Sequence, residues 1–499
     1  MRTRLPAILL SALFIFIALS GCRNESTRLT ILHINDLHGH LEPFKENDKE
    51  GTSVGGMARI ATLVEEVREE IESIGGHVIL LCAGDILQGT PMSLVYRGEP
   101  EIRTMNLMKF DAMVIGNHEF DYGQENLRRL MGLASFPIIS ANILTTSADK
   151  PAGADYIVNT YGDLDVAVFG LTTDETPVST HPNNVKDLEF LQPVEIAEEL
   201  VPVLREKADL IIALTHLGFE VDERLAEEVP GIDIIVGGHS HTKVDSAVHI
   251  GETLICQAFE YGIFLGRVDL IMQRGRVIES RNMLMPVDNT VKEDPAISAL
   301  VSDYSTRLGA ELEKPVGSTS VRLDGERTSV RNRETNLGNL VTDAMRAFSH
   351  ADVALTNAGS IRASIDKGEI TTKEILTALP FGGQLVTLNL TGRQLERILK
   401  RTASLAPGSG GFLQVSGLSF RIEGKEAIDV NVVGEPLDEK RSYSVATNDF
   451  LAAGGDGYNA FKEGTEYYNT GLKISDVLMD YIGARREVGG QVESRIVKR

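Results

Sequence analysis

Five apolar runs in the first half of the sequence end in side chains that bind metal ions or transfer protons. The run at 112–115 is followed by Gly116, Asn117, His118, Glu119 and Asp121. The glycine allows a sharp backbone turn after a buried strand. Ligand side chains, an acid–base group and a carboxylate that can orient it therefore share one loop. Taken alone, this cluster fits a polar loop without function equally well. The other four runs decide between that interpretation and a functional site.

The other four runs end in the same types of residue, usually beside glycine. They lead to Asp36 and His38, to Asp85, to His216, and to His239 and His241. Helical patterns, for example at 57–73 and 125–134, separate the runs and indicate an α/β fold. Because open α/β sheets bind ligands at the carboxyl ends of their strands, we expect all five ends to form one site.

The side chains at these ends indicate which ions the site would take. Carboxylates, imidazoles and one amide, without thiolates, suit hard or borderline divalent ions. The groups outnumber the needs of one ion, so we expect two, drawn from Mn²⁺, Zn²⁺, Co²⁺ or Mg²⁺, with a shared carboxylate. Two ions about 3.5–4 Å apart can hold a hydroxide between them that attacks phosphorus in line.

In their order along the chain, the five motifs resemble those of the calcineurin-like metallophosphoesterases. The resemblance implies a four-layer α/β/β/α sandwich over residues 29–285. It also implies a first ion on Asp36, His38, Asp85 and His241, and a second on Asp85, Asn117, His216 and His239. His241 departs from the family pattern, because several relatives have Gln or Asn there, and this bears on metal preference.

The same resemblance gives His118 and Asp121 the role of a catalytic pair. His118 would stabilise the transferring phosphoryl group or protonate the leaving oxygen, and Asp121 would orient its ring. The remaining histidines have plainer interpretations. His33, inside a strand, is expected to be a satisfied core or supporting residue, and His40 is left outside the site.

Composition limits the classes of function. A chain of 499 residues exceeds one core, so we expect two or more domains. The formal net charge of −22 argues against a broad basic surface for a nucleic-acid polymer. It leaves room for a small anionic substrate, because metal ions and a few arginines reverse the field locally. Cys82 and Cys256 lie in apolar runs and are expected to be buried thiols rather than a needed disulfide.

The N-terminus has the form of a secretory signal. Arg2 and Arg4 precede an apolar run from Pro6 to Leu19, shorter than the ~20 residues of a membrane span. The run ends in Leu-Ser-Gly-Cys22, which resembles the bacterial lipoprotein signal. The resemblance implies a signal peptide at 1–21, lipid on Cys22, a tether at 22–28, and a protein exported and anchored to a bacterial membrane, facing the periplasm or the exterior.

The second half carries a different set of side chains. A helical linker is expected at 290–315, between two prolines. Beyond it, arginines, aromatics, an amide and a carboxylate lie beside turns: Arg331, Asn357, Arg362, Phe381, Phe450 and Asp456. Arginines pair with phosphate and aromatic rings stack on bases. Each residue alone is weak evidence for nucleotide binding, since single phenylalanines are usually core residues.

Together these positions resemble the C-terminal domain of the 5′-nucleotidases, an α/β nucleotide-binding domain expected here at 316–499. The resemblance implies that Phe381 and Phe450 hold the base and that Asp456 binds the ribose hydroxyls. Arg331 and Arg362, with Asn357 beside them, would meet the phosphate side. Nothing in the sequence indicates a protein partner or an oligomeric state.

The expected activity is metal-dependent hydrolysis of nucleotide phosphoesters, with 5′-nucleotides giving nucleoside and phosphate. A 2′,3′-cyclic nucleotide phosphodiesterase, a UDP-sugar hydrolase or similar nucleotide-sugar pyrophosphatase and a thiosulfohydrolase remain alternatives on the same scaffold. The two phenylalanines disfavour the last, which needs no base clamp. A non-enzymatic surface binding protein is a further alternative, disfavoured by the complete set of ligands.

Overall fold

A computed structural model describes residues 26–45, 53–145, 154–180, 182–246 and 248–498. The expected signal peptide and most of the expected tether lie outside the described residues. Within the tether, however, Thr27 and Arg28 already belong to the first strand, where they pair with Met272 and Ile271. In the described ranges, no helix has both the length and the apolar character of a membrane span.

The first half alternates strands and helices. Its strands are β1 (Thr27–Ile34), β2 (Phe44–Lys45), β3 (Ser53–Val54), β4 (His77–Cys82), β5 (Ala112–Val114), β6 (Ile138–Ile139), β7 (Ile143–Thr145), β8 (Tyr156–Tyr161), β9 (Leu164–Thr172), β10 (Leu188–Phe190), β11 (Leu210–His216), β12 (Ile234–Val236), β13 (Val248–Ile250), β14 (Thr253–Cys256), β15 (Phe264–Gln273) and β16 (Arg276–Pro286). Its helices are α1 (Met57–Ser73), α2 (Pro91–Tyr96), α3 (Glu99–Met108), α4 (Gly123–Leu133), α5 (Thr176–Ser179), α6 (Pro193–Arg205) and α7 (Phe219–Glu228).

Two sheets pack face to face in this half. Within the described residues their strand orders are β16-β15-β1-β4-β5-β6 and β13-β14-β12-β11-β9-β8. Ile31, Val114 and Ile212 belong to the apolar core between the sheets. Helices α1, α3 and α4 pack on the outer face of the first sheet, and α6 and α7 on that of the second. This is the four-layer α/β/β/α sandwich that the motifs implied.

The apolar pattern explains why α1 forms where it does. Ile60, Val64, Val67 and Ile71 recur every three or four residues and are buried in the core against the first sheet. That spacing puts them on one face of a helix. The helix spans Met57–Ser73, as the pattern predicted.

A single helix, α8 (Pro295–Leu312), connects the halves within the segment expected at 290–315. The Asp294 carboxylate accepts hydrogen bonds from N–H groups of its first turn, which stabilises the helix start. Ile297, Val301 and Tyr304 pack into the core of the first half. The helix therefore packs against the first half as part of its core.

The second half has its own core. Its strands are β17 (Pro315–Thr319), β18 (Val353–Asn357), β19 (Gly368–Thr371), β20 (Gln384–Thr391), β21 (Leu413–Ser416), β22 (Leu418–Glu423), β23 (Glu426–Val432), β24 (Glu435–Pro436), β25 (Ser442–Asn448), β26 (Thr465–Lys473), β27 (Glu487–Val488) and β28 (Ile496–Lys498). Its helices are α9 (Arg327–Val330), α10 (Asn336–Ser349), α11 (Thr372–Ala378), α12 (Gly392–Ser404), α13 (Asp449–Ala452) and α14 (Ile474–Arg485). Among the described residues, a mixed sheet in the order β21-β18-β25-β20-β26 shares its core with α10, α12 and α14.

Candidate active site

The carboxyl ends of β1, β4 and β5 in the first sheet meet those of β11 and β12 in the second. The N–H of Asp36 donates to the carbonyl of Gly84 at 3.0 Å, which ties the first two ends together. The N–H of His239 donates to the Asp36 carboxylate at 2.9 Å, which ties one sheet to the other. The predicted ligands therefore converge on one place, as expected for strand ends in an α/β protein.

Most of these ligands have an unusual backbone conformation. The φ angle is positive at Asp36 (50°), His38 (47°), Asp85 (53°), His239 (77°) and His241 (55°). A non-glycine residue in this region costs of order 1–3 kcal/mol, and such strain is concentrated at functional sites. Each of these residues lies in the loop that directly follows its strand, β1, β4 or β12.

The ligand atoms form overlapping groups in which all atoms lie within 4.8 Å of one another. The groups are Asp36, His38 and His241; Asp85, His216 and His239; and His38, Asp85 and His118. Asn117 joins the second group, because its Oδ1 lies 3.0 Å from His239 Nδ1. The first two groups contain members of the two ligand sets that the resemblance implies, and Asp85 also approaches His38, with 3.9 Å between Oδ2 and Nε2.

The orientation of the imidazoles suits a metal ion. His38 and His216 donate from Nδ1 to the carbonyl oxygens of Leu87, at 3.0 Å, and Ala83, at 2.7 Å. Their Nε2 atoms therefore point into the site, and His38 Nε2 lies 3.1 Å from His241 Nε2. A cation or a proton between two such nitrogens relieves the repulsion of their lone pairs. This donor set fits a divalent ion held by imidazole and carboxylate.

Unpartnered atoms and charge support the same conclusion. Asp36 Oδ1 and His216 Nε2 are buried and have no well-aligned hydrogen-bond partner in the described part of the chain, although each lies within ion-pair distance of a group in the cluster: His241 Nε2 at 3.3 Å and Asp85 Oδ2 at 3.1 Å. Burial alone would lower the pKa of His216, but the Asp85 carboxylate raises it to about 10. Burial likewise opposes a charge on Asp85, yet the neighbouring imidazoles, His216 first, hold its pKa well below the usual range. The site therefore favours positive charge at its centre.

Glu119 supports the loop that carries Asn117 and His118. Its carboxylate accepts hydrogen bonds from the N–H groups of Asp85 (2.9 Å), Ile86 (2.9 Å) and Gly116 (2.6 Å). Gly116 has no room for a side chain, because a Cβ there would lie 2.2 Å from Asp85 Oδ1. Glu119 was not predicted to have a role, although it lies between His118 and Asp121 in the loop after β5.

Two further residues near His241 were missed by the sequence analysis. The Glu260 carboxylate accepts a hydrogen bond from the His241 ring and forms an ion pair with Arg327 of the second half at 3.1 Å. Gln257 donates from its amide to the Gly238 carbonyl at 2.9 Å. Only Arg327 carried a sequence signal, since it lies one helical turn before Arg331.

His118 and Asp121 form the expected pair. His118 Nδ1 donates to Asp121 Oδ2 at 2.5 Å, and Asp121 Oδ1 accepts from the Thr180 hydroxyl at 2.7 Å. Burial alone would lower the pKa of His118, but the carboxylates of Asp121 and Asp85 outweigh it and raise that pKa. The pair can therefore hold a proton beside the ligand cluster.

One cavity of about 740 Å³ joins the two halves of the molecule. His118 and Asp121 line it from the first half. The six residues predicted to bind the nucleotide line it from the second half: Arg331, Asn357, Arg362, Phe381, Phe450 and Asp456. The Phe381 ring lies 5.9 Å from the His118 ring, centroid to centroid, and 5.6 Å from the Arg362 guanidinium.

The polar groups of the second half are held in place within this cavity. Asn357 donates from Nδ2 to Asp456 Oδ2 at 2.9 Å and accepts from Asn448 at 3.0 Å. Burial raises the pKa of Asp456 to about 6. Burial, with the charges of Arg327 and Arg362, lowers the pKa of Arg331 to about 9. Clustered arginines of this kind attract an anion.

Two other histidines and the two cysteines lie outside the ligand groups described above. His33 is buried in β1, but the expectation that it is satisfied was wrong, because neither ring nitrogen has a partner within the described ranges. His40 stacks on Tyr261 with 4.2 Å between ring centroids. Cys82 and Cys256 are free and buried, and burial raises the pKa of both thiols.

The fold and the site together define a two-domain metallophosphoesterase. Residues 29–243 match the calcineurin-like phosphoesterase family, and residues 315–463 match the 5′-nucleotidase C-terminal domain. The chain belongs to the calcineurin-like phosphoesterases that carry this second domain. Members of this class use divalent metal ions, in agreement with the ligand groups described above.

Full-length relatives support the assignment. The chain is 35% identical to protein UshA of Yersinia enterocolitica over 92% of each chain. It is 31% identical to a 5′-nucleotidase of Vibrio cholerae over 95% of each chain. The structure of a 5′-nucleotidase precursor from Thermus thermophilus superimposes with a TM-score of 0.86 at 33% identity, covering 94% of this chain and 99% of that one. The similarity therefore runs through both halves and the linker.

Proposed function

We propose that the protein hydrolyses 5′-nucleotides to nucleoside and inorganic phosphate. The observation that carries the proposal is the shared cavity, in which the His118–Asp121 pair faces Phe381, Phe450 and Asp456. A phosphomonoesterase without nucleotide preference has no use for an aromatic pair and a ribose-binding carboxylate at its catalytic groups. The names of the relatives, which include 5′-nucleotidases, agree with this activity.

We propose two divalent ions, Mn²⁺, Zn²⁺, Co²⁺ or Mg²⁺, with Asp85 shared between them. The first set is Asp36, His38, Asp85 and His241, and the second is Asp85, Asn117, His216 and His239. When bound, such ions neutralise phosphoryl oxygens and lower the pKa of a water nucleophile. Glu260 and the carbonyls of Leu87 and Ala83 orient the imidazoles for this task.

His118 would act on the leaving side of the reaction. Its Nδ1 is fixed by Asp121, so Nε2 is the nitrogen that remains for the substrate. Water forms the new bond to phosphorus and loses one proton to solvent, and the bond to the nucleoside 5′-oxygen breaks. The proton on His118 passes to that oxygen, so the nucleoside leaves as an alcohol, and His118 then regains a proton from solvent.

The second half would bind the nucleoside. Phe381 and Phe450 would stack on the base, and Asp456, fixed by Asn357, would accept hydrogen bonds from the ribose hydroxyls. Arg331 and Arg362 would meet the phosphate side, where their mutual repulsion is relieved by an anion. Binding energy from the nucleoside then places the phosphate at His118.

A UDP-sugar hydrolase is the second candidate function. The same cavity is also lined by Arg97 and Tyr122 from the first half and by Lys473 from the second. These residues would offer cationic and aromatic side chains to a group attached to the nucleotide. A 2′,3′-cyclic nucleotide phosphodiesterase would use the same residues. A surface binding protein without activity is disfavoured, because every proposed ligand is present.

The substrate question is tested by product analysis. Metal-stripped protein, refilled separately with each of the four metals, is offered AMP, ATP, UDP-glucose, 2′,3′-cyclic AMP and a phosphate ester without a base. We expect phosphate release from AMP to exceed release from the baseless ester. Cleavage of UDP-glucose and of the cyclic nucleotide is detected by chromatography. Preference for either substrate over AMP would replace the proposed function by the corresponding alternative.

We also propose that the protein is exported and anchored to a bacterial membrane through lipid on Cys22, facing the periplasm or the cell exterior. Arg2, Arg4, the apolar run and the Leu-Ser-Gly-Cys22 ending support this proposal. In the source cell, wild-type protein is expected in the membrane fraction and the Cys22→Ser variant in the soluble exported fraction. An identical distribution of the two proteins would refute the anchor.

A further inference from the structure

The Asp121 carboxylate has one fixed partner on each oxygen. Oδ2 accepts from His118 Nδ1 at 2.5 Å, and Oδ1 accepts from the Thr180 hydroxyl at 2.7 Å. The backbone carbonyl of Asp121 accepts from Asn184 Nδ2 at 2.9 Å. Two residues that follow α5 therefore hold Asp121, and neither was predicted from the sequence to have a role.

Thr180 is buried and its backbone is held by hydrogen bonds. Its side chain is 1% exposed, and its N–H donates to the Thr176 carbonyl at 3.1 Å. The Thr176 hydroxyl donates to the Thr173 carbonyl at 2.7 Å, and the Thr173 N–H donates to the carbonyl of His216 at 3.0 Å. These hydrogen bonds connect the backbone of Thr180 to the end of β11, which also carries a proposed metal ligand.

The hydroxyl matters because a carboxylate with only one partner can rotate. If Oδ1 lost its donor, Asp121 could turn to find another, and the His118 ring would turn with it. We propose that Thr180 is a positioning residue, whose hydroxyl fixes Asp121 and thereby aims His118 Nε2 at the leaving oxygen. This inference rests on the proposed function, in which His118 gives its proton to the nucleoside 5′-oxygen.

The role of Thr180 predicts a dependence on the leaving group. A nucleoside alkoxide must be protonated as its bond to phosphorus breaks, whereas p-nitrophenolate leaves without a proton. Misdirection of His118 should therefore slow AMP hydrolysis far more than hydrolysis of p-nitrophenyl phosphate. It should act on kcat, because Thr180 contributes no proposed contact to the base or the ribose.

The test compares Thr180→Val, which keeps the shape and removes the hydroxyl, with Thr180→Ser, which keeps the hydroxyl. The matched control is Thr160→Val, because the Thr160 hydroxyl also donates to a carboxylate at 2.7 Å, that of Asp165, on an exposed strand. We expect Thr180→Val to lower kcat for AMP by about 10- to 100-fold, the range of a hydrogen bond to a charged group. KM for AMP and kcat for p-nitrophenyl phosphate should change little, and Thr180→Ser and Thr160→Val should resemble wild type.

A second measurement does not depend on turnover. The Nδ1 proton of His118, in a short bond to a carboxylate, should give a downfield proton NMR signal that is absent in His118→Asn. Thr180→Val should shift or broaden this signal, and Thr180→Ser should preserve it. This arm still tests the inference if wild-type protein fails to hydrolyse AMP, an outcome that would remove the proposed function instead.

Three results would overturn the inference. Equal losses on AMP and p-nitrophenyl phosphate would show a general packing defect. A serine variant as slow as the valine variant would show that the methyl group, not the hydroxyl, is needed. An unchanged NMR signal in Thr180→Val would show that Asp121 holds His118 without help.

Discussion

Replacing Phe381 by alanine tests whether the second half brings a base to the catalytic residues. The ring lines the cavity between the halves, 5.9 Å from the His118 ring and 5.6 Å from the Arg362 guanidinium. If a base stacks there, Phe381→Ala removes one stacking partner. If the ring is only an interdomain spacer, the substitution instead disturbs His118 and Arg362 whatever the substrate.

The size of the effect follows from the stacking energy. One base on one aromatic ring is worth about 1–3 kcal/mol by alanine substitution. The loss in kcat/KM for AMP should therefore be about 5- to 150-fold. An ester without a base makes no such contact, so its kcat/KM should change far less.

The assay measures phosphate release from AMP and from ribose 5-phosphate, which lacks the base, with wild type, Phe381→Ala and Phe450→Ala. The control is Phe348→Ala, because Phe348 is a 43% exposed phenylalanine on α10 of the same half. In the double variant, losses smaller than the sum of the single losses would indicate that both rings hold one base. Equal losses on both substrates would refute the stacking role, and so would an unchanged kcat/KM for AMP.

Three other predictions concern the metal centre and stability. Asp85→Ala, which removes the shared carboxylate, should reduce metal retained after dialysis and lower AMP turnover by more than about 100-fold; intact turnover would refute the shared ligand. Burial raises the pKa of Glu101 to about 7, so its contribution to stability is complete below about pH 4.5 and is lost as the pH rises towards 7. Between pH 4.5 and 8, the free energy of unfolding of Glu101→Gln should therefore rise by about 3 kcal/mol relative to that of wild type. Burial lowers the pKa of His33 to about 4, so its contribution is complete above about pH 6.5 and falls as the pH drops towards 4. Between pH 7 and 5, the free energy of unfolding of wild type should fall by about 2 kcal/mol more than that of His33→Leu. Urea unfolding of the metal-free proteins, followed by circular dichroism, measures both differences, and parallel pH profiles for variant and wild type would contradict the assigned shifts.

The sequence allowed the fold class and the convergence of the strand ends to be predicted. Each apolar run ends in a ligand side chain, and parallel strands deliver their carboxyl ends to one edge, so Asp36, Asp85 and His216 had to meet. Periodicity gave the bounds of α1 for the same kind of local reason. The family motifs extended the prediction to the residues that line the cavity from the second half.

Other features depend on tertiary contacts that leave no local pattern. Thr180 meets Asp121 across 59 residues of chain, and Arg327 meets Glu260 across 67. A threonine at the end of a short helix and a glutamate in a loop look ordinary until the chain has folded. His33 shows the opposite error, because a histidine in a strand was expected to be hydrogen-bonded and its ring nitrogens are unpartnered in the described structure.

The central claim is that a divalent-metal centre in the first half acts on a nucleotide bound by the second. Its most direct test is phosphate release from AMP by metal-stripped protein, before and after Mn²⁺, Zn²⁺, Co²⁺ or Mg²⁺ is added back, with ribose 5-phosphate, which lacks the base, in parallel. We predict turnover only after metal is restored and a higher kcat/KM for AMP than for the baseless ester. AMP turnover that persists without metal, or no AMP turnover with any of the four metals, would contradict the account.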